Sequence, residues 1–176
     1  MKKWSLIVGL VIAAVVAWYL ISPVFRVVEV HEESPLIKDA METMDAATKV
    51  EFEKAVEAAR ENVMVMTDTM PGPARVVVQG LFKPSAHDVM GRALLIEVDD
   101  KKILRFEDFE TINGPDLHVF LATELGIAGA VDLGEIKATK GSVNYELDPS
   151  IDTTKYNKVL VWCVPFRVLF SYAVLQ

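Results

Sequence analysis

The chain has 176 residues, with 25 acidic against 18 basic side chains and a formal net charge of −7. That length suits one ordinary domain and an appendage, and the acidic balance argues against nucleic acid, which is bound through clustered Lys and Arg. One cysteine excludes an internal disulfide, so the fold rests on its core and Cys163 is either buried and inert or used.

From Trp4 to Ile21 no residue is charged, and roughly 20 apolar residues in a helix span a bilayer core. Trp4, Trp18 and Tyr19 suit the two interfaces. Residues 1–25 are therefore expected to form a transmembrane signal-anchor helix. A cleaved secretory signal is the alternative, since Lys2 and Lys3 precede the run and Val15-Val16-Ala17 has small-residue character. The apolar stretch outruns the roughly 7–15 residues of a signal core, which favours the anchor. Lys2 and Lys3 lie before the run, and Glu29, Glu32 and Glu33 soon follow Arg26. The positive-inside rule then puts the N-terminus in the cytoplasm and the body outside, a single-pass protein of the cell membrane.

Residues 26–70 hold five basic and eleven acidic side chains and are predicted to form an amphipathic helical neck. Ser34-Pro35 suits a helix start. Ile37, Met41, Met44, Thr48, Phe52, Ala55, Ala59 and Val63 then recur at three- and four-residue steps, which makes one apolar stripe. A break is expected near Asp45, a second cap. The stripe either packs on the following domain or pairs with another protein.

Met70-Pro71-Gly72-Pro73 ends helical character, and residues 71–176 change to a period of two. Strands are predicted over 76–82, 92–98, 102–109, 117–122, 131–136, 142–147, 158–163 and 166–174, separated by turn-rich links. Such spacing predicts an antiparallel sandwich or barrel, and the domain is read as an antiparallel β-sandwich. Val159–Cys163 is apolar on both faces, as a covered central strand is.

Cys163 is the first candidate for chemistry, because thiolates ligate haem iron and copper and act as redox groups. A free cysteine is also a common small core residue. His118 stands two residues from Asp116 on a predicted strand, so both face one side, where the carboxylate can orient the imidazole for metal or haem. In the plainer reading Asp116 bonds turn amides, Gly114 supplies a positive φ, and His118 is a half-buried structural residue. Blue copper needs two histidines with the cysteine, and none follows Cys163. Cys-x-x-Cys-His is absent, which excludes covalent c-type haem. Non-covalent haem stays open, with His118, His87 or a methionine as second ligand. Met64, Met66 and Met70 are candidate soft Cu(I) ligands or gap fillers. Glu107, Asp108 and Glu110 read as a solvated strand end.

Several motifs follow one another in a set order: Phe106 and Phe109, Asn113-Gly114-Pro115-Asp116-Leu117-His118, Leu133-Gly134, Tyr145, Trp162-Cys163-x-x-Phe166 and Phe170. In that order the chain from about Val78 to Leu175 resembles the DM-thirteen domain, the DOMON-associated module of Skeletor-type proteins. The resemblance implies electron transfer, with Cys163 as the suspected redox centre; Cys163, His118 and Trp162 are the candidate residues for any bound cofactor. The expected function is a membrane-anchored, extracytoplasmic redox accessory module with a protein redox partner. The alternative is a non-enzymatic assembly subunit, with Cys163 structural and the neck helix as docking surface.

Overall fold

The computed structural model describes residues 2–22, 26–36, 50, 54, 74–98 and 101–176. Among the described residues a helix, α1 (Lys2–Ile21), precedes nine strands: β1 (Glu29–His31), β2 (Arg75–Pro84), β3 (Val89–Val98), β4 (Lys101–Thr111), β5 (Leu117–Ala122), β6 (Val131–Glu135), β7 (Lys140–Leu147), β8 (Lys158–Cys163) and β9 (Val168–Val174). The strands expected beyond residue 71 all form. Among the described residues no helix is long and apolar enough to cross a membrane, so the expected transmembrane helix lacks support here. Every residue of the expected neck stripe lies outside the described residues.

All nine strands belong to one sheet in the order β1-β7-β4-β3-β2-β9-β8-β5-β6. The expected sandwich of separate antiparallel sheets is corrected in two ways. First, β2 belongs to both halves: Arg75–Leu81 pairs with β3, and Phe82–Pro84 with β9. Gly80 sits at this crossover, where any Cβ would overlap the Val174 carbonyl, so only glycine lets the two backbones approach. The sheet curls until its halves share one core. Phe82, Leu95, Leu104, Phe106, Phe109, Val143 and Tyr145 meet Leu117, Val119, Leu121, Val159, Val161 and Cys163 there. Second, β1 pairs parallel to β7, so the sheet is mixed.

A pleated strand shows alternate residues to opposite faces, yet Phe106 and Phe109, three apart, are both buried in the core. The register slips between them, and between Met90 and Arg92 on β3. Gly91 (φ 101°) and Asp108 (φ 49°) occupy the bulge. The extra residue restores the inward direction at Phe109. Phe82 then meets Phe106 and Phe109 edge-on, with ring centroids 4.8 Å away in each case, a favoured aromatic geometry. A Cβ on Gly91 would collide with the Glu107 and Asp108 carbonyls.

The segment expected to begin the neck instead joins the sheet. Thr139 and Lys140 amides donate to the Val28 carbonyl, and the Glu32 amide donates to Ser142. Arg105, on the outer face of β4 with its side chain 7% exposed, holds the chain beyond β1. Its Nη1 donates to the carbonyls of Glu32 (3.1 Å) and Glu33 (3.2 Å) and to Asn144 Oδ1 (2.9 Å), while Nε donates to Glu107 (2.9 Å). Glu107 also accepts from Arg92 at 2.8 Å. Glu107 is therefore a half-buried bridge between two arginines, not the solvated strand end expected.

A buried guanidinium is tolerable only while its partners satisfy it. Arg105→Ala should cost about 3 kcal/mol, because it takes from Glu107 one of its two arginine partners and leaves two backbone carbonyls and Asn144 Oδ1 without their donor. A chain starting at Pro71 should retain a β-type circular dichroism spectrum but melt several degrees lower. In that shortened chain Arg105→Ala should cost clearly less than in the full one, since the two changes remove the same contacts. Equal costs would show that Arg105 does not hold the N-terminal segment.

Candidate functional site

The sequence candidates meet where β5 lies between β6 and β8. Cys163 pairs with Leu117, and both side chains enter the core. Trp162 pairs with His118, and directly opposed residues share a face. Alternation along β8 therefore puts Trp162 and His118 outside and Cys163 inside. Cys163 is fully buried. Trp162 packs on an outer cluster of Phe120, Leu160 and Tyr172, and its indole N–H has no hydrogen-bond partner among the described residues. Cys163 and His118 lie on opposite faces of the sheet, so these residues do not fit a haem ligated by both.

His118 has carboxylates on both sides. Its Nδ1 lies 3.0 Å from each oxygen of Asp132, and its Nε2 lies 3.2 Å from Asp116 Oδ1. Glu135, directly across from His118 on β6, completes the group. Asp132 and Glu135 are three residues apart and would face opposite ways on a regular strand. The register slips between His118 and Phe120, and Gly134 takes a φ of 96°. This bulge turns both acids outward while Val131 and Leu133 still pack on the core. The Gly134 amide donates to Asp132 at 2.8 Å, which fixes the carboxylate against the imidazole.

Burial alone would lower the His118 pKa, but the Asp132 hydrogen bond and the charges of Asp132, Asp116 and Glu135 outweigh it and raise the value above 6.5. Asp116, His118 and Glu135 each offer a ligand atom within 4.8 Å of the others. Asp116 and Glu135 also line a cavity of about 200 Å³ walled by Val28, Asn113, Gly114 and Thr139.

The Asn113–Leu117 turn is built differently from expectation. Gly114 is not among the positive-φ glycines; it is required because a Cβ would press on the Leu117 and Phe170 side chains. Its amide donates to Asn113 Oδ1 (2.9 Å), and Asn113 Nδ2 donates to the Arg26 carbonyl (3.2 Å). Asp116 pairs with His118 through its carboxylate, and its carbonyl accepts from the Val164 amide. His87 stacks obliquely on Phe170 with centroids 4.1 Å apart, away from this cluster. Tyr145 is held by burial at a pKa of about 12, its hydroxyl accepting from the Lys137 amide. Met64, Met66 and Met70 lie outside the described residues. Asp132 and Glu135 escaped the sequence reading; the signal available was Gly134 between two acids in a predicted strand, a mark of a bulge.

A curled β-domain with one thiol sealed in its core and an imidazole–carboxylate cluster outside is the class that these elements define. The chain belongs to the electron transfer DM13 family, which it matches over residues 81–175. This supports a redox-related role. The match begins within β2, so β1 lies outside it. No curated protein and no solved structure matches the chain.

Because folding raises the His118 pKa, its contribution to stability is complete below the unfolded value of 6.5 and is lost as pH rises through the folded value. In EDTA buffer, the melting temperature should therefore fall between about pH 6 and pH 9 more in wild type than in His118→Gln. Parallel curves would disprove the clamp. Gly134→Ala should cost about 1–2 kcal/mol through its positive φ, and proton NMR should show the His118 pKa moving back towards 6.5.

Proposed function

We propose that this protein is an extracytoplasmic electron-transfer accessory module, held at a membrane by α1 and using Cys163 as its redox group. Membership of the electron transfer DM13 family carries this reading. Cys163 is the chain's single thiol. It ends β8 directly before Val164–Arg167, four exposed residues, so local opening of that turn is the short route by which a partner reaches the sulfur. The anchor rests on the uncharged run from Trp4 to Ile21 and on side chains such as Leu10, Trp18 and Tyr19, each about 70% exposed. A helix apolar on all sides needs lipid or protein around it. Lys2 and Lys3 orient the N-terminus to the cytoplasm.

The full burial of Cys163 among Leu117, Val161 and Val168 favours a second reading. In it the thiol is structural, and the chain is a non-enzymatic assembly subunit that docks through the apolar stripe of its neck.

Cys163→Ser separates the two. The redox reading expects loss of a reversible redox wave with the melting temperature nearly unchanged. The assembly reading expects no redox signal in wild type, resistance to thiol reagents until unfolding, and a loss of about 1 kcal/mol in the variant from a hydroxyl in an apolar site. Intact-mass measurement of native protein should show residues 1–25 retained and the chain in the membrane fraction after a high-salt wash. A mature N-terminus near Trp18 would mean a cleaved signal.

A further inference from the structure

The cluster on β5 and β6 holds more negative charge than its neighbours balance. Asp116, Asp132 and Glu135 surround one imidazole, and among the described residues no lysine or arginine forms an ion pair with any of them. Three carboxylates face a single imidazole, so the cluster is net negative whether or not the ring is protonated. Converging carboxylates repel unless a cation lies between them. The fold nevertheless holds them together: the Gly134 bulge forces Asp132 and Glu135 onto one face, and strand pairing sets Glu135 opposite His118.

The ligand atoms of Asp116, His118 and Glu135 lie within 4.8 Å of one another, so small side-chain rotations bring all three to the roughly 2.0–2.2 Å bonds of a transition ion. Asp132 occupies Nδ1 and leaves Nε2 towards Asp116. A carboxylate on the far ring nitrogen is how metal-binding histidines are oriented. Asp116 and Glu135 also wall the neighbouring cavity, which leaves room for water at the remaining positions. One imidazole with two carboxylates suits a first-row divalent ion better than Ca²⁺ or Mg²⁺, which take oxygen ligands.

We propose that Asp116, His118 and Glu135 form a binding site for a divalent transition-metal ion of the Zn²⁺ type, with Asp132 as the positioning residue behind His118. Cys163 takes no part, since its sulfur lies on the inner face of the sheet. The site therefore stands or falls separately from the redox reading.

The test is calorimetric titration of Zn²⁺ into the full chain after EDTA treatment and removal of the chelator at neutral pH. Wild type should bind one equivalent and gain thermal stability on binding. Glu135→Gln, at an exposed position, should keep the fold and weaken binding at least tenfold. His118→Gln should weaken it further, Asp132→Asn should weaken it about tenfold, and His87→Ala and Cys163→Ser should leave it unchanged. A hundredfold excess of Ca²⁺ should not compete. Zn²⁺ binding indifferent to Glu135→Gln, loss of binding in His87→Ala or Cys163→Ser, displacement by Ca²⁺, or no binding at all would each overturn the proposal. Should His118→Gln fail to fold, Glu135→Gln and Asp132→Asn still decide.

Discussion

The direction in which a strand points its side chains is the constraint on which this structure depends. Alternation permits partners at i and i+2, yet both the aromatic core and the outer cluster are built from residues at i and i+3. A bulge is the way to reconcile the two. At Gly91 and Asp108 the extra residue turns Phe106 and Phe109 inward together, and they close on Phe82, the residue where β2 passes to the other half of the sheet. At Gly134 the same device turns Asp132 and Glu135 outward together against His118. Core and surface thus follow from one backbone property, the access of glycine to positive φ.

The N-terminal segment is part of the domain rather than a tether to it. Gly141, at φ 111°, lets the Val30 carbonyl approach where a side chain would overlap it, and β1 then takes the free edge of β7. Arg105 holds the next two residues by their carbonyls. Covering an edge strand also removes a row of unpaired backbone groups that would otherwise invite aggregation. Whatever α1 contacts is therefore tied to the sheet through only a few intervening residues.

Cys163 and His118 sit on neighbouring strands, one residue apart in register, and yet occupy different environments. The thiol is sealed in the hydrophobic core, whereas the imidazole is ringed by acids and partly open to water. The sheet itself separates them, so chemistry at one leaves the other untouched. Any redox role of the thiol must work through the backbone or through opening of the β8–β9 turn. A cation at the imidazole needs neither.

The sequence alone determined the eight strands beyond residue 71, the covered character of Val159–Cys163 and the family, because each is written in local patterns: alternation, turn residues and motif order. It placed Cys163 inside and His118 on a strand, two residues after Asp116, for the same reason. Tertiary structure decided the rest. A three-residue strand such as Glu29–His31 carries no period to read, so its parallel pairing to β7 appears only once Gly141 and Arg105 are in place. The passage of β2 between two partners is a matter of long-range pairing. Gly114 looked like a residue chosen for its φ and proved to be chosen for the space beside Leu117 and Phe170. Asp132 and Glu135 were invisible as partners of His118, since their facing depends on a bulge whose position is set by pairing across strands and not by either acid's neighbours in the chain.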